Sequence, residues 1–180
     1  MKELSLNILD VAENSVKAGA TLTEILIKED AEKLILTIKD DGCGMSEEIV
    51  KSVIDPFYTT RTTRSVGLGI PLLKLAAEQT GGALNIVSST LKDNHGTSVT
   101  AEFYKNHLDF TPLGDVVSSV TTLIQGHPDT DFLFRHEKDG HAAELDTRQL
   151  REVLGDVPLN TYDVIKWTEE YLKEQYEGFN

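Results

Sequence analysis

The sequence predicts a two-layer α/β sandwich, with helices packed on one face of a mixed sheet and a small α+β appendage at the C-terminal end. Three observations carry the prediction. Residues 2–18 place Leu4, Ile8 and Val11 at helical spacing, with Leu9, Ala12 and Val16 widening the apolar face. Two alternating runs rich in Ile and Leu follow at 23–28 (TEILIK) and 34–39 (LILTIK), which is the pattern of half-buried strands. After Lys105 the texture changes, and shorter helical and strand patterns alternate to the end of the chain.

The elements follow in order. The first helix stops at Gly19, a C-terminal cap. Residues 29–33 turn the chain between the two strands, and 40–45 form a glycine-punctuated loop. Ser46 caps a short helix to about Ile54, with Glu47 and Glu48 in the first turn, where the helix dipole favours acids. Residues 56–65 are a polar loop. A helix over 66–80 is opened by glycines and closed by Gly81 and Gly82. Strands are expected at 83–89 and 97–104, joined by a loop at 90–96. Beyond the boundary at 106–114 come a helix at 115–125, a hairpin of 131–136 and 141–145 turned by Lys138-Asp139-Gly140, and helices at 147–154 and 162–176. Residues 1–108 therefore form one domain and 109–180 an acidic C-terminal region. The last helix carries Val164, Trp167, Tyr171 and Leu172 on one face, read as core, with partner docking as the alternative.

Composition excludes several classes. The chain has 180 residues, 39% of them hydrophobic and 26% charged, enough for a core without staples. The net charge is −13, which argues against nucleic acid or an anionic membrane as partner. Residues 1–108 hold 15 acids and 11 bases; residues 109–180 hold 15 acids and 6 bases. No apolar run reaches the roughly 18 residues of a membrane span, and the first ten residues do not read as a signal peptide. A single cysteine, Cys43, allows no internal disulfide and points to the cytoplasm.

Three groups of residues suggest chemistry. Asp10, Asn14 and Lys17 lie at i, i+4 and i+7, so a carboxylate, an amide and an ammonium share one helical face. The amide oxygen of Asn14 suits Mg²⁺. The alternative is a solvated face. Next, Asp40-Asp41-Gly42-Cys43-Gly44-Met45 follows a strand. A carboxylate there can accept from an exocyclic amine, and glycines let backbone approach a flat ring, though an ordinary glycine turn reads the same way. Last, Gly67-Leu68-Gly69 opens a helix whose free N–H groups can bind anions, with Arg61 and Arg64 upstream and Gly96-Thr97 downstream.

Taken in order, these boxes resemble the GHKL superfamily of ATP-binding domains over about residues 1–105. That superfamily includes histidine kinases, MutL-type ATPases, type II topoisomerases, heat-shock chaperone ATPases and anti-sigma-factor kinases. The resemblance implies the Bergerat-type fold and Mg-ATP as ligand. It implies that Asn14 coordinates Mg²⁺, that Lys17 lies near the phosphates, and that Asp40 reads the adenine amino group beside Gly42, Gly44 and Met45. Residues 56–61, PFYTTR, resemble the lid box of nitrogen-regulation-type histidine kinases and bring in Phe57, Thr60 and Arg61. Gly67, Leu68 and Gly69 match the phosphate-side box, and Thr97 the threonine that supports the adenine aspartate.

Position 10 bears on mechanism. MutL-like and chaperone ATPases carry a water-activating glutamate four residues before the asparagine; here it is Asp10, one methylene shorter. Asp10 is therefore the candidate catalytic base, and Glu13 is expected to point elsewhere. The five histidines all follow the asparagine box. His136-Glu137 superficially resembles a phosphoacceptor pair but reads as a surface histidine in a hairpin, and His127, His136 and His141 lack persuasive metal spacing. The implied function is transfer of the γ-phosphoryl group to a separate protein in signalling or regulation, with a homodimer left open. The alternatives are a non-catalytic ATP-gated module or a slow ATPase using Asp10.

Overall fold

The computed structural model describes residues 3–55 and 68–179. In chain order the elements are α1 (Leu4–Lys17), β1 (Leu22–Glu29), β2 (Lys33–Asp40), α2 (Glu47–Ile54), α3 (Gly69–Gln79), β3 (Ala83–Leu91), β4 (Asn94–Tyr104), α4 (Val116–Gly126), β5 (Asp131–Lys138), β6 (His141–Asp146), α5 (Thr147–Leu154) and α6 (Tyr162–Glu177). The strands form one mixed sheet in the order β3-β4-β2-β1-β5-β6. Among the described residues only β1 and β5 run parallel, pairing Leu22 with Asp131 through Glu29 with Lys138.

Strand alternation decides which face is covered. Ile25, Ile27, Leu34, Leu36, Ile38, Val99, Ala101, Phe103, Phe132 and Phe134 are all buried on one face. The helices pack there: α1 lies against β1, β2, α3 and α4, and α4 lies against α6. The opposite face carries charged side chains that pair across strands, such as Lys33 with Glu102 at 2.9 Å and Arg135 with Glu144 at 2.5 Å. A two-layer α/β sandwich is the result. Residues 109–180 extend its sheet and share its core. Among the described residues, no helix is long and apolar enough to cross a membrane.

Several local expectations meet the structure in detail. Ser46 caps α2 by accepting from Ile49 N at 3.3 Å; the helix expected from 115 starts at Val116, with Asp115 as its cap accepting from Ser118 N at 3.0 Å. The 139–140 turn has positive φ at both residues, 51° and 80°, as a tight hairpin requires. The loop expected at 90–96 is largely strand instead. Leu91 pairs with Asn94, so only Lys92 and Asp93 turn the chain. Polar Thr90, Asn94 and His95 hid this extension, because exposed strand ends need no apolar alternation.

His136 corrects the surface reading. Its side chain is 3% exposed, and its ring packs edge-on against Tyr176 and Phe179. Alternation along DFLFRHEK puts it on the same face as Phe132 and Phe134, under α6. Its Nε2 contacts Glu29 and its Nδ1 lies 2.9 Å from the Tyr176 hydroxyl. Glu29 also receives Lys105 at 3.1 Å. Burial alone raises the Glu29 pKa, but hydrogen bonds from His136 and Lys105 outweigh it and hold the carboxyl at about 2. A carboxylate depressed from 4.5 stabilises the fold fully above 4.5 and loses that contribution as pH falls toward about 2. Glu29→Gln is therefore expected to cost about 1.5–3 kcal/mol at neutral pH and to flatten the stability loss between those two pH values. Urea unfolding at pH 7 and pH 3.5 checks it; equal acid slopes in wild type and variant would contradict it.

Candidate functional site

At the opposite end of β1 from Glu29, the chain leaves β2 through two adjacent acids with different tasks. Asp41 fastens the turn after α1: its Oδ1 accepts from Thr21 N at 2.7 Å and Leu22 N at 3.0 Å, and its Oδ2 from the Thr21 hydroxyl. Burial pushes its pKa up, but those three bonds outweigh it and hold the carboxyl below the usual range. Asp40 instead lines a pocket, its Oδ1 accepting from Gly42 N at 2.8 Å. Glycines let the loop fold this tightly. A Cβ on Gly42 would fall 2.9 Å from Ala18, and one on Gly44, where φ is +77°, only 1.8 Å from the Ser89 carbonyl oxygen. Met45 N donates to Ser88 Oγ at 2.8 Å, which ties the loop to β3.

Thr97 stands opposite Asp40 in the β2–β4 register and lines the same pocket. Its hydroxyl lies 2.8 Å from Ser88 Oγ, so Ser88 braces both the loop and the threonine. The sequence reading missed Ser88. The signal was its place on the inward face of β3, visible only once β3 is registered on β4.

From α1, Asn14 and Lys17 line this pocket, together with Val11 and Ser15. Asp10 is exposed one turn earlier. Helix α3 begins at Gly69, with Leu68 exposed in the cap position and no side chain capping the helix. A Cβ on Gly69 would fall 2.9 Å from the Cβ of Asp10, so this glycine lets the start of α3 approach α1 closely. In the first turn of α3 Pro71 has no N–H, so the N–H groups of Gly69 and Ile70 are the ones that need partners from outside the helix, and Gly69 lies against Asp10. Glu13 points away to the C-terminal end of α4, where its Oε2 is 2.8 Å from His127 Nε2. Phe57, Thr60, Arg61, Arg64 and Gly67 lie outside the described residues.

The pocket has a cavity volume of about 220 Å³ and lies between the helical layer and the sheet. Its apolar lining is Val11, Ile38, Met45, Ile49, Ile70 and Val99, with Asp40, Asn14, Lys17 and Thr97 as polar groups. Whole-ligand pockets run roughly 300–1,000 Å³. This one suits a planar heterocycle, with a charged tail extending beyond it. A larger open hollow of about 490 Å³ lies around Lys28, Arg135 and Glu137. Its Lys28, Arg135 and Glu137 are already paired, as Arg135 is with Glu137 at 2.7 Å, whereas the smaller pocket brings Asp40, Asn14 and Lys17 together over an apolar lining, so the smaller pocket is the candidate site.

Residues 2–112 match the family model described as histidine kinase-, DNA gyrase B- and HSP90-like ATPase. The chain belongs to that ATPase family. The GHKL domain is 31% identical over 93 residues to the sensor protein KdpD of Clostridium acetobutylicum, covering 49% of this chain and 10% of that protein. It is 30% identical over 105 residues to sporulation kinase A of Bacillus subtilis, covering 58% of this chain and 16% of that one. The match thus spans a tenth to a sixth of these relatives' length. The fold of the chain is similar to that of the Aquifex aeolicus MutL ATPase domain complexed with ADP, with TM-score 0.52, 16% identity, and coverage of 86% of this chain and 69% of that chain. It is also similar to the N-terminal domain of a DNA repair protein, with TM-score 0.58, 16% identity, and coverage of 81% and 53%.

Proposed function

We propose that the GHKL domain binds Mg-ATP in the Asp40 pocket and transfers the γ-phosphoryl group to a separate partner protein in signalling or regulation. The convergence of Asp40, Asn14 and Lys17 on one apolar-floored pocket supports this reading most strongly. Asp40 accepts from the adenine amino group while Gly42 and Gly44 keep side chains off the ring. The donor set fits Mg²⁺, because one hard amide oxygen, from Asn14, suits an ion that keeps waters and takes its other ligands from phosphates. When bound, Mg²⁺ supplies charge neutralisation among the phosphates. Lys17 and the N–H groups that open α3 add positive potential.

Asp40→Asn is expected to weaken ATP binding by about 1–3 kcal/mol, because an amide can present its NH₂ to an amine donor. Calorimetry checks this, and unchanged affinity would remove the adenine assignment. A second reading, slow hydrolysis, draws on Asp10, which sits one turn before Asn14 and against the start of α3. Incubation with γ-labelled ATP and lysate separates the outcomes. Label on protein supports transfer, free phosphate supports hydrolysis, and neither supports an ATP-gated module. Asp10→Asn should abolish turnover with ATP still bound if Asp10 is the base, since an amide cannot take a proton. Undiminished transfer to an acid-labile phosphohistidine would instead support chemistry that needs no such base.

A further inference from the structure

The last helix departs from the expected core face. Val164, Thr168 and Leu172 are buried, while Trp167 and Tyr171 turn outward, 48% and 38% exposed. Their rings stack at 4.9 Å and 10°. With Leu145, Leu150 and Val153 they line a groove of about 200 Å³ between α5 and α6, and Val153 is 85% exposed. Glu144, Asp146 and Gln149 complete the lining.

The rim is acidic. Asp163, Glu170 and Glu174 lie within one helical turn of Trp167 or Tyr171 on α6, and Glu152 adjoins Val153; all four are exposed. Lys166 is the exposed base nearby, whereas Arg148, Arg151 and Lys173 are engaged by Asp146, Asp131 and Glu169. A second copy of a chain with charge −13 would set acid against acid here. Strand addition is also disfavoured. The Gln175 amide holds both the N–H and the C=O of Glu144 at 2.9 Å, closing the outer edge of β6 at its middle.

We infer that the α5–α6 groove docks a basic amphipathic helix of a partner protein, with apolar anchors on the Trp167–Tyr171 stack and lysines or arginines on the acidic rim. The inference stands apart from the nucleotide pocket and holds whether or not phosphate is transferred. It names the kind of partner that the acidic half of the chain recruits.

Trp167 is the chain's single tryptophan, so its emission reports the groove alone. The probe is a synthetic helical peptide of about 18 residues, with leucine at i, i+3, i+4 and i+7 and lysine elsewhere. Its controls are a scrambled version and a glutamate-for-lysine version. The expected result is a saturable blue shift with the basic amphipathic peptide, weaker binding of the scrambled one and none of the acidic one. Val153→Glu adds an acid but spoils the apolar wall, so it should weaken binding roughly tenfold with an unchanged melting curve. The inference is overturned if Val153→Glu binds as tightly as wild type, if the scrambled peptide binds equally, or if no saturable shift occurs. An emission shift that follows protein concentration alone, with matching self-association in sedimentation, would also overturn it in favour of a second copy.

Discussion

A fragment ending at residue 108 is expected to lose cooperative unfolding, although it contains nearly all of the family match. The reason lies in what residues 109–180 cover. The first N–H groups of α1, at Leu4 and Ser5, donate to Pro112 and Leu113 carbonyls at 2.9 and 2.8 Å. Ser119 Oγ donates to the Ser5 carbonyl at 2.8 Å as α4 packs on α1. Val116, Val120, Leu123, Ile124, Phe132 and Phe134 are all buried, so their removal strips the other side of those contacts. Each such side chain contributes about 1.5–3 kcal/mol, and a domain's whole stability is only about 5–15 kcal/mol. Circular dichroism melts and dye binding to exposed apolar surface check this. A cooperative melt within about 5 °C of the full chain would show that the N-terminal portion stands alone.

Gly44→Ala should be among the most damaging single substitutions in the chain. The alanine Cβ would meet the Ser89 carbonyl at 1.8 Å, and φ is +77°. The obstacle is backbone, so β3 must shift, and with it the Ser88 brace on Met45 and Thr97. A loss of about 3–5 kcal/mol is expected, with nucleotide affinity reduced more than about tenfold. Gly19→Ala is the control. Its φ is +78° but a Cβ there meets nothing within 4 Å, so only the left-handed strain of about 1–2 kcal/mol remains. Equal losses at the two positions, measured by urea titration, would mean that the Ser89 contact is unimportant.

Local chemistry was legible in the sequence. Ser46 caps α2 because its side chain reaches backbone only three residues away. The Asp139-Gly140 turn follows from which residues tolerate positive φ. Asn14, Lys17 and Asp40, which line one pocket, stood out in the sequence because each sits at a fixed offset within one helix or at one strand end. Distant pairing was not legible. No spacing in the chain announces that β5 lies beside β1, and without that register His136 could not be set against Glu29. Trp167 and Tyr171 misled for a different reason: large aromatic side chains at helical spacing usually fill a core. Here Val164, Thr168 and Leu172 already occupy the buried stripe one position around the helix.

The parallel pairing of β1 with β5 also has a consequence in time. Leu22 and Asp131 are register partners 109 positions apart in the chain. β2 can reach β1 through a short turn almost as soon as both emerge, but the other edge of β1 must wait. At roughly 5–20 residues per second on the ribosome, that wait is about 5–20 s, far longer than hairpin formation. Until β5 arrives, the nascent chain presents an unpaired Ile- and Leu-rich strand edge to its surroundings, an interval in which chaperone capture competes with aggregation.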